Sequence, residues 1–210
     1  MLFRSIERDP LNGKVYEPAQ PVNLSDSQTY ALEQISELIE KPSIKTRAVL
    51  LHGVTGSGKT EVYLEAVSLC ISRGKNSLVL VPEIALTPQT IERFSSRFPG
   101  KIAVLHSGLT IGERFDQWRK IKANEYQVVI GSRSSIFAPL NNLGLIIIDE
   151  EHEWTYKQSD GVPRYHARDV AMQLAGLTSA AVILGSASPD IESYQRAKRG
   201  RYRLVELNHR

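Results

Sequence analysis

The sequence is poor in cysteine and has no long apolar segment. Cys70 is the single cysteine among 210 residues, so the chain can form neither an internal disulfide nor a zinc site made of clustered cysteines. Its apolar runs, such as residues 145–148, are far too short to cross a bilayer, and the first residues include no apolar stretch of signal-peptide length. These absences predict a cytoplasmic protein that does not contact a membrane.

Length and charge indicate one mildly basic domain. A chain of 210 residues can build one large α/β domain but is short for two. The formal net charge of +3 is compatible with an anionic partner, although many proteins without such a partner have a similar charge. Prolines at positions 10, 18 and 21 predict that residues 1–24 form an extended arm or linker.

Helical and strand patterns alternate after this arm. Two of the predicted strands, around 78–81 and 145–148, are apolar on both faces, which is typical of a parallel sheet covered by helices. The alternation predicts an α/β fold with a doubly wound, mostly parallel sheet over residues 25–200. The predicted strands lie at about 47–52, 77–82, 101–106, 126–131, 144–149 and 180–185. The predicted helices lie at about 26–40, 60–73, 88–97, 111–123, 166–176 and 190–199.

The string from Gly53 to Thr60 matches Gly-x-x-x-x-Gly-Lys-Thr, the phosphate-binding loop of many nucleotide-binding proteins. It lies between a predicted strand and a predicted helix, so a phosphate would sit at the positive end of a helix dipole. Lys59 can reach the β- and γ-phosphates, and the Thr60 hydroxyl can ligate Mg²⁺. The predicted ATP-binding residues of this loop are Gly53, Thr55, Gly56, Ser57, Gly58, Lys59 and Thr60.

Asp149 and Glu150 directly follow an apolar predicted strand. Asp149 can hold Mg²⁺ through water, and Glu150 can orient or deprotonate an attacking water. The alternative is an ordinary charged loop after a strand. With the phosphate-binding loop, these residues predict a Mg²⁺-dependent nucleoside triphosphatase whose catalytic residues are Lys59, Asp149 and Glu150, with Thr60 and Asp149 as Mg²⁺ ligands. This chemistry does not indicate how the energy is used.

Further motifs resemble those of a helicase family. Asp-Glu-x-His at 149–152 is the signature of superfamily 2 helicases, and the whole set resembles the PriA family of bacterial replication-restart helicases. The stretch 154–169 is similar to an aromatic-rich loop shared by PriA and RecQ-type helicases. The matching segments run in the family order over about 24–194. They are 24–28, 53–60, 79–89, 105–110, 131–139, 149–153 and 184–190.

The resemblance implies a RecA-like lobe of an ATP-dependent DNA helicase that moves 3′ to 5′ on single-stranded or forked DNA and works with other replication-restart proteins. It implies that Gln28 recognises adenine, although Ser25 and Gln28 also form a capping box that explains both residues. The implied residues coupling the ATP and DNA sites are His152, Ser186, Ala187 and Ser188. The implied DNA contacts are Pro82, Thr87, His106, Ser107, Gly108, Arg133, Ser134, Trp154, Tyr156, Lys157, Arg164 and Tyr165.

Several implied roles have simpler structural explanations. Thr87 and Ser188 each precede a proline, as helix caps do. Arg133 can be a solvated surface charge, and Trp154 and Tyr165 can pack over the edge of the sheet. The functional interpretation is that aromatic side chains stack on unpaired bases while neighbouring cations hold the backbone.

The PriA family also carries an N-terminal DNA-binding region, a second motor lobe with an arginine finger, and zinc-binding cysteines. We therefore expect a first motor lobe without the family's zinc sites, with residues 201–210 beginning the connection to a second lobe. Because an arginine finger can contribute ~10³–10⁵ in rate, we expect the isolated lobe to be nearly inactive. The alternatives are a nucleic-acid-binding scaffold without turnover, and a P-loop kinase or other NTPase, for which the aromatic residues of 154–169 would have no use.

Overall fold

A sheet of seven parallel strands forms the centre of the computed structural model, which describes residues 10–11, 16–20, 22–41 and 46–207. The predicted arm, 1–24, lies largely outside the described residues. The strands are β1 (Ala48–Gly53), β2 (Asn76–Leu80), β3 (Ile102–Leu105), β4 (Val128–Gly131), β5 (Leu143–Ile148), β6 (Lys157–Gln158), β7 (Tyr165–His166), β8 (Ala181–Ser186) and β9 (Arg203–Leu207). The α-helices are α1 (Asp26–Glu40), α2 (Lys59–Ser72), α3 (Pro88–Arg97), α4 (Ile111–Lys122), α5 (Ala167–Thr178) and α6 (Ile191–Lys198).

The order of strands in the large sheet is β3-β4-β2-β5-β8-β1-β9, and every neighbouring pair is parallel. Strands β6 and β7 form a separate antiparallel pair. Because the seven strands run in one direction, the loops that follow their carboxyl ends all lie at the same edge of the sheet. The predicted doubly wound α/β fold is confirmed, and its topology brings residues far apart in the sequence to one edge.

Helices cover both faces of the sheet. Val49 and Leu51 of β1 belong to a core that includes residues of α1, α2 and α3, whereas Leu50 belongs to a second core with α4, α5 and α6. Side chains alternate between the two faces of a strand, so covering both faces buries every residue of a central strand. Strand β5 is buried at all of its positions for this reason. No helix within the described ranges is long and apolar enough to cross a membrane.

Side chains cap the first turns of α1, α3, α4 and α6. Ser25 and Thr110 form capping boxes at the starts of α1 and α4, and Thr87 caps α3 ahead of a proline. The prediction that Ser188 caps the last helix was wrong. Asp190 is the cap there, because its side chain accepts a hydrogen bond of 2.7 Å from the backbone N–H of Glu192.

Strand β9 was not predicted from the sequence. In the last three residues of β9, Val205 and Leu207 are buried and Glu206 is exposed. The strand pairs with β1, and Arg203 lies opposite Val49. Such a strand is an edge strand, and its partner lies about 150 residues earlier, so no local pattern reveals the pairing. Residues 203–207 belong to the segment expected to begin the connection to a second lobe, but they form the edge strand of the sheet. The division at residue 200 stays a prediction.

Replacing Gly185 by alanine is expected to destabilise the protein by about 1–3 kcal/mol, since overpacking a core forces side chains to move. An added Cβ would lie 1.6 Å from the Tyr63 hydroxyl oxygen. The matched control is Gly176→Ala in α5, where an added Cβ meets nothing within 4 Å. This control should stabilise the helix by about 0.5–1 kcal/mol. Urea unfolding measures the free energy of unfolding of both variants. If Gly185→Ala is no less stable than Gly176→Ala, the packing argument is wrong.

Candidate active site

The phosphate-binding loop has the backbone that its glycines allow. Gly56 and Gly58 have φ angles of 84° and 82°, in the left-handed region that favours glycine. Helix α2 begins at Lys59, and its N-terminus has no side-chain cap. The Ser57 hydroxyl is buried and finds no hydrogen-bond partner within the described part of the chain. An uncapped helix N-terminus beside an unpaired buried hydroxyl fits the oxygens of a bound phosphate.

Lys59 lies between the loop and the acidic strand end. Its side chain is 9% exposed. The Nζ atom donates a hydrogen bond of 2.7 Å to the Gly53 carbonyl oxygen and lies 3.7 Å from Glu150 Oε1. Strand β8 separates β1 from β5 in the sheet, so this lysine bridges the ends of two strands that are not neighbours. The two predicted halves of the triphosphatase site therefore face each other across a short gap containing a buried ammonium group.

The carboxylate of Asp149 has a partner that sequence reasoning missed. The Tyr63 hydroxyl donates a hydrogen bond of 2.9 Å to Asp149 Oδ1. Burial raises the pKa of Asp149, and this hydrogen bond opposes the rise. Burial and the nearby carboxylate hold the pKa of Tyr63 well above its usual value, so the phenol keeps its proton and remains the donor. The only signal in the sequence is the position of Tyr63, four residues after Lys59 and near it on the same helix.

The predicted coupling residues lie together beside Glu150. His152 Nδ1 is 2.7 Å from Ser186 Oγ and 3.6 Å from Glu150 Oε2, and the backbone N–H of Ala187 donates to Glu150 Oε2 over 3.5 Å. The backbone N–H of Ser188 donates to Ser186 Oγ over 3.0 Å. Glu150 has a φ angle of 45°, which is unfavourable for a residue other than glycine. Such strained backbone conformations cluster at functional sites.

Gln28 contacts the phosphate-binding loop directly. Its Nε2 donates a hydrogen bond of 3.2 Å to the Ser57 carbonyl oxygen, and its Oε1 accepts one of 2.8 Å from the backbone N–H of Ser25. The capping box is therefore present. A Cβ at Gly58 would lie 2.0 Å from Gln28 Nε2, so this glycine is required for the close approach. Adenine recognition by Gln28 stays a prediction.

A second cleft, of about 370 Å³, lies at the same edge of the sheet. Trp154 is 77% exposed at its wall, and Arg133 Nη1 donates hydrogen bonds of 2.9 Å to the carbonyl oxygens of Thr155 and Lys157. The arginine thus holds the aromatic-rich loop in place and is not simply a solvated charge. The predicted DNA contacts that line this cleft are Pro82, Ser107, Arg133, Ser134, Trp154, Tyr156 and Lys157.

The other predicted DNA contacts lie outside this cleft. Thr87 lines a separate cleft of about 250 Å³ beside Thr60 and Asp149, and His106 lines a third. The ring of Tyr165 packs edge-on against Phe137, with 5.0 Å between centroids. Gly108 and Arg164 are exposed and line none of the three.

Tyr156 lines the second cleft but is 1% exposed, and its hydroxyl donates a hydrogen bond of 2.7 Å to the Asp149 carbonyl oxygen. The short helix Trp154–Tyr156 therefore ties the exposed Trp154 to the strand end that carries the acids. In this arrangement Tyr156 offers no ring face to a base.

A buried ion pair beneath the acids was also missed. Arg168 Nη1 lies 3.2 Å from Glu151 Oε2, and the two side chains are 5% and 0% exposed. The same carboxylate accepts hydrogen bonds of 2.8 Å from Ser193 Oγ and from the backbone N–H of Asp190. Arg168 also reaches Glu192 at 3.0 Å. This cluster fixes the loop after β5 to the starts of α5 and α6.

The described residues, 10–11, 16–20, 22–41 and 46–207, contain no group of three or more His, Cys, Asp or Glu side chains placed to hold a metal ion. A Mg²⁺ held by Thr60 and Asp149 would depend on phosphate oxygens and water for its other ligands, which is the usual situation for this ion beside nucleotides.

The chain matches a known protein family. Residues 21–191 match the family described as "Type III restriction enzyme, res subunit". The chain belongs to this family. It is 50% identical over 208 residues to replication restart protein PriA of Bacillus subtilis, covering 99% of this chain and 26% of that protein. It is 56% identical over 151 residues to replication restart protein PriA of Synechocystis sp., covering 72% of this chain and 18% of the relative.

These comparisons confirm the similarity to PriA that the motifs indicated. The chain spans about a quarter of the length of the Bacillus relative. Among solved structures, RecG bound to a three-way DNA junction matches with a TM-score of 0.65 and 23% identity, covering 91% of this chain and 24% of that one. At this identity the match concerns the fold, and it agrees with the predicted RecA-like lobe.

Proposed function

We propose that this chain is the ATP-binding motor lobe of an ATP-dependent DNA helicase acting in replication restart. The observation that carries the proposal is the position of Lys59, buried between the phosphate-binding loop and the Glu150 carboxylate. That arrangement suits a triphosphate with its Mg²⁺. The similarity to replication restart proteins over 99% of the chain supports the biological role.

Each residue of the site has a defined task in this proposal. Lys59 and the N–H groups that begin α2 hold the phosphates, and Thr60 and Asp149 hold the Mg²⁺. Glu150 orients the attacking water and accepts its proton. Bound ATP with Mg²⁺ supplies the bond whose hydrolysis drives movement. Tyr63 keeps the Asp149 carboxylate oriented by the hydrogen bond it donates.

DNA binding can reach this site through two short contacts. A base stacked on Trp154 would act on the helix Trp154–Tyr156, and Tyr156 is hydrogen-bonded to the backbone of Asp149. His152 connects Glu150 with the loop after β8, where the other motor lobe of a helicase would transmit its movement. We assign to His152 the coupling role that the resemblance implied, and to the Tyr156 contact the transmission of DNA binding from Trp154.

Single-stranded or forked DNA is the proposed substrate, with movement from 3′ to 5′ and assembly with other replication-restart proteins. Support for DNA comes from the exposed Trp154 beside Arg133 and Lys157, a combination that binds unpaired strands. The matched RecG structure contains a DNA junction.

Replacing Lys59 by alanine is expected to weaken Mg²⁺-ATP binding by about tenfold or more, since hydrogen bonds to charged groups are worth about 1.5–3 kcal/mol. Binding of a fluorescent ATP analogue to the 210-residue chain measures this change. Binding of labelled single-stranded DNA should stay the same, because Lys59 does not line the cleft that contains Trp154.

The matched control is Lys101→Ala. Lys101 is exposed at the amino-terminal end of β3, on the sheet edge opposite the site, and its removal should leave both affinities unchanged. Equal ATP affinity in the Lys59 and Lys101 variants would refute the proposed nucleotide site. If DNA binding persists but the segment joined to a second motor lobe shows no DNA-stimulated hydrolysis, the chain is a nucleic-acid-binding scaffold instead.

A further inference from the structure

A third cleft, of about 240 Å³, lies between the start of α4 and the loop that follows β4. We call it the aromatic cleft, and its walls include His106, Arg114, Trp118, Ser134 and Phe137. A water molecule occupies about 30 Å³ in the liquid, so the cleft has room for about eight. That space is sufficient for a planar ring system, and two aromatic side chains border it.

The two aromatic walls are accessible from solvent. Trp118 is 39% exposed and Phe137 is 47% exposed. Tyr165 packs against Phe137 at an interplanar angle of 72°, which supports the phenyl ring from the side of the β6–β7 pair. Tyr165 is itself only partly exposed, so Phe137 is the more accessible ring at this position. The resemblance implied a DNA contact at Tyr165, and the greater exposure of Phe137 makes Phe137 the better candidate for stacking.

The charges around the aromatic cleft favour an anionic ligand. Among the described residues that line it, Arg114 is a cation and no residue is a carboxylate. The two other clefts each include carboxylates, Glu83 and Asp160 in one and Asp149 in the other. An arginine beside exposed aromatic rings matches a phosphate joined to a base.

The aromatic cleft also continues the surface proposed to bind DNA. Ser134 lines both this cleft and the one that contains Trp154. His106 also lines the aromatic cleft, and its Nδ1 accepts a hydrogen bond of 3.1 Å from the backbone N–H of Gly108. A strand lying along the cleft that contains Trp154 would therefore pass into the aromatic cleft, which offers aromatic, cationic and hydrogen-bonding groups.

We propose that the aromatic cleft binds one unpaired base of single-stranded DNA, stacked on Trp118 and Phe137, with Arg114 against a neighbouring phosphate. This inference rests on the proposed function, since it requires the chain to bind DNA. It adds Arg114, Trp118 and Phe137 to the predicted contacts. It also extends the bound strand beyond the aromatic-rich loop.

The fluorescence of Trp118 can report whether the aromatic cleft is occupied. The chain has two tryptophans, so Trp154→Phe leaves Trp118 as the single emitting tryptophan. Adding a short oligothymidylate to this variant at low ionic strength should cause a saturable loss of Trp118 emission. A strand of the same length without bases, which keeps its phosphates, should cause little loss. Equal loss with both strands would show that the backbone alone contacts this region and would overturn the inference.

A second experiment measures the affinity of each variant for a labelled oligothymidylate by fluorescence anisotropy. Trp118→Ala and Phe137→Ala should each weaken binding about fivefold or more, as expected for one stacked base. The matched control is Phe115→Ala in α4, the helix that carries Trp118. Phe115 is 67% exposed and does not line the cleft, so this variant should bind the oligothymidylate with unchanged affinity. Binding by the Trp118 and Phe137 variants equal to that of the control overturns the inference and leaves the proposed function standing. Absence of DNA binding by the unaltered chain overturns both.

Discussion

Glu150→Gln is expected to lower DNA-stimulated phosphate release by about 10²–10⁴-fold, the range that a positioned general base contributes. Glutamine keeps the size of the side chain and its capacity to accept a hydrogen bond from the N–H of Ala187, but it cannot take a proton from water. Nucleotide affinity should remain nearly unchanged, because Lys59 keeps its hydrogen bond to Gly53 and the phosphate-binding loop is not altered.

The rate is measured in a protein that joins this segment to a second motor lobe, with and without single-stranded DNA. Nucleotide affinity is measured on the 210-residue chain itself. Glu153→Gln is the matched control, three residues further along the same loop and without a contact to Lys59. The Glu153→Gln variant should hydrolyse ATP at the same rate as the unaltered protein. Turnover by Glu150→Gln within a few-fold of this control would remove Glu150 from the proposed mechanism.

Arg168→Ala is expected to destabilise the fold by about 3–5 kcal/mol, since removing one partner of a buried ion pair leaves the other charge uncompensated. The carboxylate left behind is that of Glu151, which is 0% exposed and would keep its hydrogen bonds from Ser193 and the Asp190 backbone but lose its ion pair with Arg168. Urea unfolding of the 210-residue chain provides the measurement.

Arg203→Ala serves as the control for this prediction. Its ion pair with Glu37 is 2.6 Å long, but the side chains are 30% and 60% exposed, and such surface pairs contribute about 0–1 kcal/mol. A double variant, Arg168→Met with Glu151→Gln, removes both buried charges and should recover part of the lost stability. Equal losses in Arg168→Ala and Arg203→Ala would show that the buried cluster does not hold the loop.

Much of the fold could be predicted because its signals are local. The capping box of Ser25 and Gln28 spans four residues, and the turn of the phosphate-binding loop depends on glycines within one short string. Strands such as β5 are apolar at nearly every position because both faces of a parallel sheet are covered. Strand β9 was missed, since the partner that makes it a strand is far away in the sequence.

The amino-acid pattern alone was enough to predict six of the seven strands of the sheet, its covering helices, the phosphate-binding loop and the acids that follow β5. The side chains that meet at the site could be identified only from the three-dimensional arrangement of the chain. Tyr63 and Asp149 are 86 residues apart, and Arg168 and Ser193 are 25 apart. Such contacts depend on the order of parallel strands and on how the helices pack against them. Neither property can be deduced from the spacing of residues along the chain, because strand order is set by the packing of the whole sheet.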